Sequence, residues 1–239
     1  MGRLYLVRHA QASFLSQNYD QLSTLGEEQA RRLGEYWAHR NVVFDRVCSG
    51  PASRHQHTAQ LVSEAYRKAG RDFPSPTIAD EFDEFQGEAV LSDSLPELLA
   101  TNPEIRELHS ALQTSGDDVG KRASFQRLFE AVISMWVSGR IRPPTVESWP
   151  DFCARVNRAL SAFLVKSYKG ECNAVFTSGG PISVAVERAL HLSAENTLRV
   201  AWMSRNCSFS EFLFSADRFM LSSFNAFPHL DDESLLSYR

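Results

Sequence analysis

Hydrophobic residues along this chain fall into two kinds of pattern. Short unbroken apolar runs at Leu4–Val7, Phe44–Cys48 and Ala174–Thr177 have the length and density of strands buried on both faces. Two further runs, Cys207–Phe214 and Phe219–Phe224, flank the turn Ser215-Ala216-Asp217 and predict a hairpin. Between the runs the period lengthens to that of a helix. Ser23-Thr24-Leu25-Gly26-Glu27 carries a capping signal, after which Ala30, Leu33, Tyr36 and Trp37 share one face. Pro51 to Ala69 reads as a second helix with proline near its first turn. A third opens at Ser148 or at Trp149-Pro150 and aligns Phe152, Val156, Leu160 and Phe163; a fourth opens at Pro181 and runs to about Leu190.

Strands alternating with helices imply an α/β domain, a three-layer α/β/α sandwich around a mostly parallel sheet, occupying 1–239 as one domain. From about Leu91 to Arg140 the strand signal disappears. Two or three helices are expected there, broken by Pro103 and by Thr114-Ser115-Gly116-Asp117-Asp118. A helical insertion of this kind, at 91–140, is expected to cap the site at the strand ends.

Composition narrows the function classes. With 43% hydrophobic and 23% charged residues, the 239-residue chain is ordinary for a globular protein with a sizeable core. Its formal net charge of −4 provides no basic footprint, so no nucleic acid partner is expected. No apolar run reaches ~18 residues, so no membrane span is expected, and the N-terminus lacks the pattern of a signal peptide. Cys48, Cys153, Cys172 and Cys207 are scattered without a CxxC pair and read as reduced thiols of a cytoplasmic protein. Without secretion, the sequon Asn206-Cys207-Ser208 carries no meaning. The seven histidines show no HExxH or zinc-cluster spacing, and there is no GxxxxGK[ST] or GxGxxG loop. Neither a metal nor a cofactor is expected.

Three strand-to-loop junctions concentrate the polar chemistry. Leu4–Val7 runs straight into Arg8-His9-Ala10-Gln11; Cys48 leads into Ser49-Gly50-Pro51-Ala52-Ser53-Arg54-His55 with Thr58-Ala59 following; Thr177 leads into Ser178-Gly179-Gly180-Pro181-Ile182. Ligands of open α/β sheets bind at the carboxyl ends of strands, so the three are expected to converge in one crevice.

These residues resemble the histidine phosphatase superfamily, phosphoglycerate mutase-like branch. Arg8-His9-Ala10 is similar to its Arg-His-Gly signature, Ser49-Gly-Pro-x-x-Arg54-x-x-x-Thr58-Ala59 to its second-arginine motif, and Thr177-Ser-Gly-Gly-x-Ile182 to its later His-Gly-x-x-Ile turn. Glu147-Ser-Trp-x-x-Phe152-x-x-Arg155-Val156 resembles a helix of the family, and the likeness extends from residue 3 to about 230. It implies that His9 is a nucleophile forming a phosphohistidine, and that a carboxylic acid two positions after an apolar residue protonates the leaving oxygen. Within Asp80-Glu81-Phe82-Asp83-Glu84-Phe85, Glu84 fits best, with Asp83 or Glu81 as fallback.

Physical chemistry supports those roles. Phosphoryl transfer is mostly placement and charge stabilisation, and Arg8 and Arg54 are permanently charged planar forks suited to phosphate oxygens. A neutral imidazole is a competent nucleophile when its other nitrogen is held, for example by a backbone carbonyl. Ser178 and Gly179 are expected to bind the substrate's phosphoryl group, and Gln11 and Ser13, with Asn18, to line the pocket.

Two positions depart from the family pattern. Ala10 replaces the usual glycine, at ~1–2 kcal/mol if the position has positive φ. Ser178 replaces a histidine; losing that charge-assisted bond costs ~1.5–3 kcal/mol, roughly 10- to 150-fold in rate. His55, His57 and His229 could fill the gap, but each reads first as a surface residue. The sequence therefore leads to a cofactor-independent phosphatase of the histidine acid type, slowed rather than dead, acting on a small phosphorylated substrate or binding inorganic phosphate. A non-catalytic phospho-ligand binder and a phosphoglycerate-type mutase are the alternatives. Oligomeric state is left open.

Overall fold

The computed structural model describes residues 1–12, 20–165 and 170–238. The chain divides into two compact units, Met1–Glu84 with Arg155–Arg239, and Phe85–Ala154. The first holds a six-stranded sheet formed by β1 (Gly2–Arg8), β2 (Arg46–Ser49), β3 (Thr77–Ile78), β4 (Cys172–Thr177), β5 (Phe209–Phe214) and β6 (Phe219–Ala226), in the order β3-β2-β4-β1-β5-β6. β3, β2, β4 and β1 are parallel, while β5 and β6 complete the edge as an antiparallel hairpin.

Register sets the site. Arg8 pairs with Thr177 across β1 and β4, and Ser49 pairs with Phe176 across β2 and β4. His9, Gly50 and Ser178 therefore leave the sheet side by side at the carboxyl ends of three adjacent strands, as the topology rule requires. The main chain continues this lateral bonding one residue beyond the strands, with His9 N donating to Thr177 O at 2.8 Å and Gly50 N to Phe176 O at 2.9 Å.

Helices α1 (Thr24–His39) and α2 (Ser53–Lys68) form where the periodicity places them, α1 capped by the Ser23 hydroxyl accepting from Gly26 N. With the sheet they enclose an aromatic core in which Trp37 lies 5.6 Å from Tyr5, 5.1 Å from Phe44 and 5.3 Å from Phe209, ring centroid to centroid. Residues of the opposite strand parity, Leu4, Leu6, Val175 and Phe212, are equally buried, so both sheet faces are covered.

The second unit is helical: α3 (Gly87–Thr101), α4 (Pro103–Thr114) and α5 (Asp118–Val137), followed by the start of α6 (Trp149–Val165), which returns the chain to the first unit. The two breaks fall at Pro103 and around Gly116, each sealed by a side-chain cap, Asn102 on Ile105 N and Asp117 on Gly120 N. Phe85, Trp136, Trp149 and Phe152 form the aromatic centre of this unit. After β4 come α7 (Gly179–Leu190) and α8 (Ala194–Met203). α7 begins at Gly179, two residues before the expected proline, which a first turn tolerates. Among the described residues no helix is long and apolar enough to cross a membrane.

Candidate active site

β1 ends by presenting Arg8 and His9, both buried. One guanidinium nitrogen of Arg8 donates to the Ser204 carbonyl, which holds the side chain at the strand end. His9 Nδ1 lies 2.8 Å from the carbonyl oxygen of Ala10, and that peptide is itself fixed, because Ala10 N donates to Thr58 Oγ1 at 3.1 Å. Burial, together with the charges of Arg54 and Arg8 and the His55 ring nearby, pushes the His9 imidazole well below its ordinary pKa. The neutral ring has one proton, and the carbonyl acceptor assigns it to Nδ1, leaving the Nε2 lone pair for an electrophile. Thr58, in turn, donates to Arg54 O at 2.7 Å, so the threonine of the second motif supports the loop after His9.

Arg54 opens α2 and pairs through Nη1 with Asp20 Oδ1 at 2.8 Å. Asp20 also accepts from Ser53 N at 2.7 Å, supplying the helix cap that Ala52 cannot. Sequence reasoning missed Asp20, which lies 33 residues before the amide it caps. Asp20→Ala is expected to cost about 1 kcal/mol through the lost cap. The measurement is a lower urea midpoint at unchanged m-value.

Glu84, the expected acid, directs Oε2 to the main-chain N of Gly180 at 3.0 Å, in the first turn of α7. Of the fallbacks, Asp83 uses its side chain to accept from Glu84 N at 2.9 Å, and Glu81 is exposed. The loop that bears them is anchored twice: Thr177 Oγ1 donates to Phe82 O at 2.6 Å, and Arg155 Nη1 donates to Glu81 O at 2.7 Å and to Asp83 O at 3.2 Å. Arg155 thus holds the backbone of the loop that carries Glu84, a role not read from the sequence. Gln11 is half-buried, its side-chain oxygen accepting from Ser23 Oγ at 2.8 Å, and Gly179 starts α7 fully buried. Ser13 and Asn18 lie outside the described residues.

The family model of the histidine phosphatase superfamily, branch 1, matches residues 4–107 and 99–226. The chain belongs to that superfamily. Among solved structures, Bacillus stearothermophilus YhfR superposes with a TM-score of 0.66 at 16% identity, covering 97% of this chain and 100% of that one. Phosphoserine phosphatase from Entamoeba histolytica, in complex with 3-phosphoglyceric acid, gives 0.63 at 16% identity over 96% and 100%. The alpha-ribazole phosphatase from Shigella flexneri gives 0.61 at 20% identity over 94% and 96%. At these identities the structures establish the fold. No curated protein sequence matches the chain.

Measured against the superfamily pattern, the first departure is mild. Among the described non-glycine residues, positive φ occurs at Asn41, His191, Cys207 and Asn225 and not at Ala10, so the extra Cβ adds no backbone strain. The second departure is structured in a way the sequence reading did not anticipate. His55, expected at the surface, is 0% exposed and places Nε2 2.6 Å from Ser178 Oγ. Its ring centroid is 5.6 Å from that of His9. The helical register explains the burial, because His55, Thr58, Ala59 and Val62 share the buried face of α2. His57 on the adjoining face is half-buried. His229 is also buried rather than exposed, stacked on Phe209 at 6.2 Å.

Proposed function

We propose that the protein is a cofactor-independent phosphomonoesterase of the histidine acid type, hydrolysing a small phosphorylated substrate through a phosphohistidine on His9. The observation that carries this reading is the Nδ1 contact to Ala10 O, which leaves Nε2 of a neutral, buried imidazole as nucleophile beside two arginines. In the first step Nε2 bonds to phosphorus and the ester oxygen leaves, taking the proton of Glu84. In the second, water gives a proton to Glu84 and displaces the phosphoryl group as phosphate, regenerating His9. Arg8 and Arg54 bind the equatorial oxygens, whose charge grows little but must be placed. The protein is read as cytoplasmic.

The test is rapid quench of the wild-type protein with labelled p-nitrophenyl phosphate. An acid-labile, base-stable labelled protein and steady phosphate release are expected; a chain that traps no label and releases no phosphate overturns the reading in favour of a binding protein. Glu84→Gln supplies a second check through the leaving group. Loss of a general acid is expected to slow an alkyl phosphate ~10²–10⁴-fold. The p-nitrophenyl ester should slow far less, because p-nitrophenolate departs without a proton.

A further inference from the structure

Ser178 stands at the N-cap of α7, where a serine hydroxyl ordinarily accepts from an amide of the first turn. Here it makes no cap bond. The Gly180 amide is taken by Glu84 instead, and the hydroxyl faces His55 Nε2 at 2.6 Å. On the far side of the ring, Nδ1 is buried without a hydrogen-bond partner. It rests against Gly50, where a Cβ would stand 2.5 Å from it. Two small residues, Gly50 and Ser178, therefore bracket an imidazole that enters from α2. A buried ring nitrogen is costly, and the local sequence has been shaped to admit it.

We propose that His55 and Ser178 act as a pair in place of the single third-junction histidine, His55 orienting the Ser178 hydroxyl so that it donates to a phosphoryl oxygen at His9. The inference rests on the phosphatase reading above. Its logic is one of proton placement. A proton on Nδ1 would be an orphaned buried donor, whereas on Nε2 it is hydrogen-bonded. Nε2–H then donates to Ser178 Oγ, which leaves the hydroxyl proton to point to another acceptor. Burial foremost, and then the Arg54 charge, holds the His55 pKa to about 3, so the ring contributes a fixed dipole and not a charge. His55 is thus a positioning residue, and Ser178 the group that touches the phosphoryl oxygen.

The experiment measures kcat and KM for p-nitrophenyl phosphate, and inorganic phosphate affinity by calorimetry, in Ser178→Ala, His55→Ala, their double variant, His55→Gln and the exchange His55→Ala/Ser178→His. Each single alanine variant is expected to lower kcat about tenfold, as for one neutral hydrogen bond, with KM changing less. The double variant should lose no more than either single, because the two residues work as a unit. His55→Gln, whose amide can reach Ser178 Oγ, should retain most of the rate, and the exchange variant should recover it by returning an imidazole to the same space. Phosphate affinity should fall in parallel with kcat. A double variant whose loss is the product of the singles, or a folded His55→Gln as slow as His55→Ala, overturns the pair. If His55→Ala fails to fold, His55→Gln against Ser178→Ala still decides. A wild-type protein that binds phosphate but forms no phosphohistidine sinks the phosphatase reading alone, and the affinities of the same variants still test His55 and Ser178.

Discussion

His9→Ala is expected to abolish steady phosphate release, by about 10⁴-fold or more, because in the proposed mechanism His9 supplies the nucleophile. The binding apparatus should survive. Arg8 remains tied to Ser204 O and Arg54 to Asp20, so KM should stay within a few-fold while kcat collapses. The fold loses the Nδ1 bond to Ala10 O, worth ~1 kcal/mol, and the packing of the buried ring, so thermal or urea unfolding of the variant is measured beside its rate to separate loss of rate from loss of structure. His9→Asn sharpens the test, since its amide can repeat the bond to Ala10 O without offering a nucleophile. Both variants should fail to trap labelled phosphate in a rapid quench. Turnover above one hundredth of the wild-type rate in either would remove His9 from the mechanism.

Arg8 and His9 were legible because an unbroken buried run, Leu4–Val7, ends on them, and a buried strand has no packing reason to finish with two polar side chains. Arg54, Thr58 and the Gly179-Gly180 turn were legible as spacing at comparable junctions, and β1, β2 and β4 bring those junctions together. Side-chain partnerships between junctions were not. Asp20 reaches Arg54 and the Ser53 amide through tertiary folding, and nothing in the local sequence announces a cap supplied from so far away. His55 was within reach, since on a helix opening near Pro51 it shares a face with Thr58, Ala59 and Val62. β3 is two residues long, too short for any period, and its pairing with β2 rather than its own pattern makes it a strand. α8 escaped because its buried positions, Thr197, Leu198 and Ala201, are few within a 10-residue helix, although the Ser193 cap was in plain view.

The same burial that keeps His9 neutral is expected to make the fold acid-labile. His9, His55 and His229 are all buried, and burial is the leading cause that lowers each imidazole, His55 to about 3, His229 to about 4 and His9 well below 6.5. In the unfolded chain all three titrate near 6.5. Between pH 6.5 and about 4 the unfolded state therefore binds more protons than the folded one, and stability must fall as pH falls. Each group contributes up to ~1.4 kcal/mol per pH unit, so the three together approach ~4 kcal/mol per unit near pH 5. A domain with ~5–15 kcal/mol in hand cannot sustain that slope for long, and cooperative unfolding is expected between about pH 4 and 5. Urea midpoints at pH 7.5, 6 and 5 read the slope directly. His229→Phe keeps the stack on Phe209, removes one titrating group, and should flatten the slope by about a third. Equal stability at pH 7.5 and 5, or an unchanged slope in His229→Phe, would show that these rings are not the acid-sensitive element. On this account burial of the three imidazoles sets an acid limit on the folded protein itself. Desolvation that holds His9 neutral therefore also makes the fold sensitive to acid.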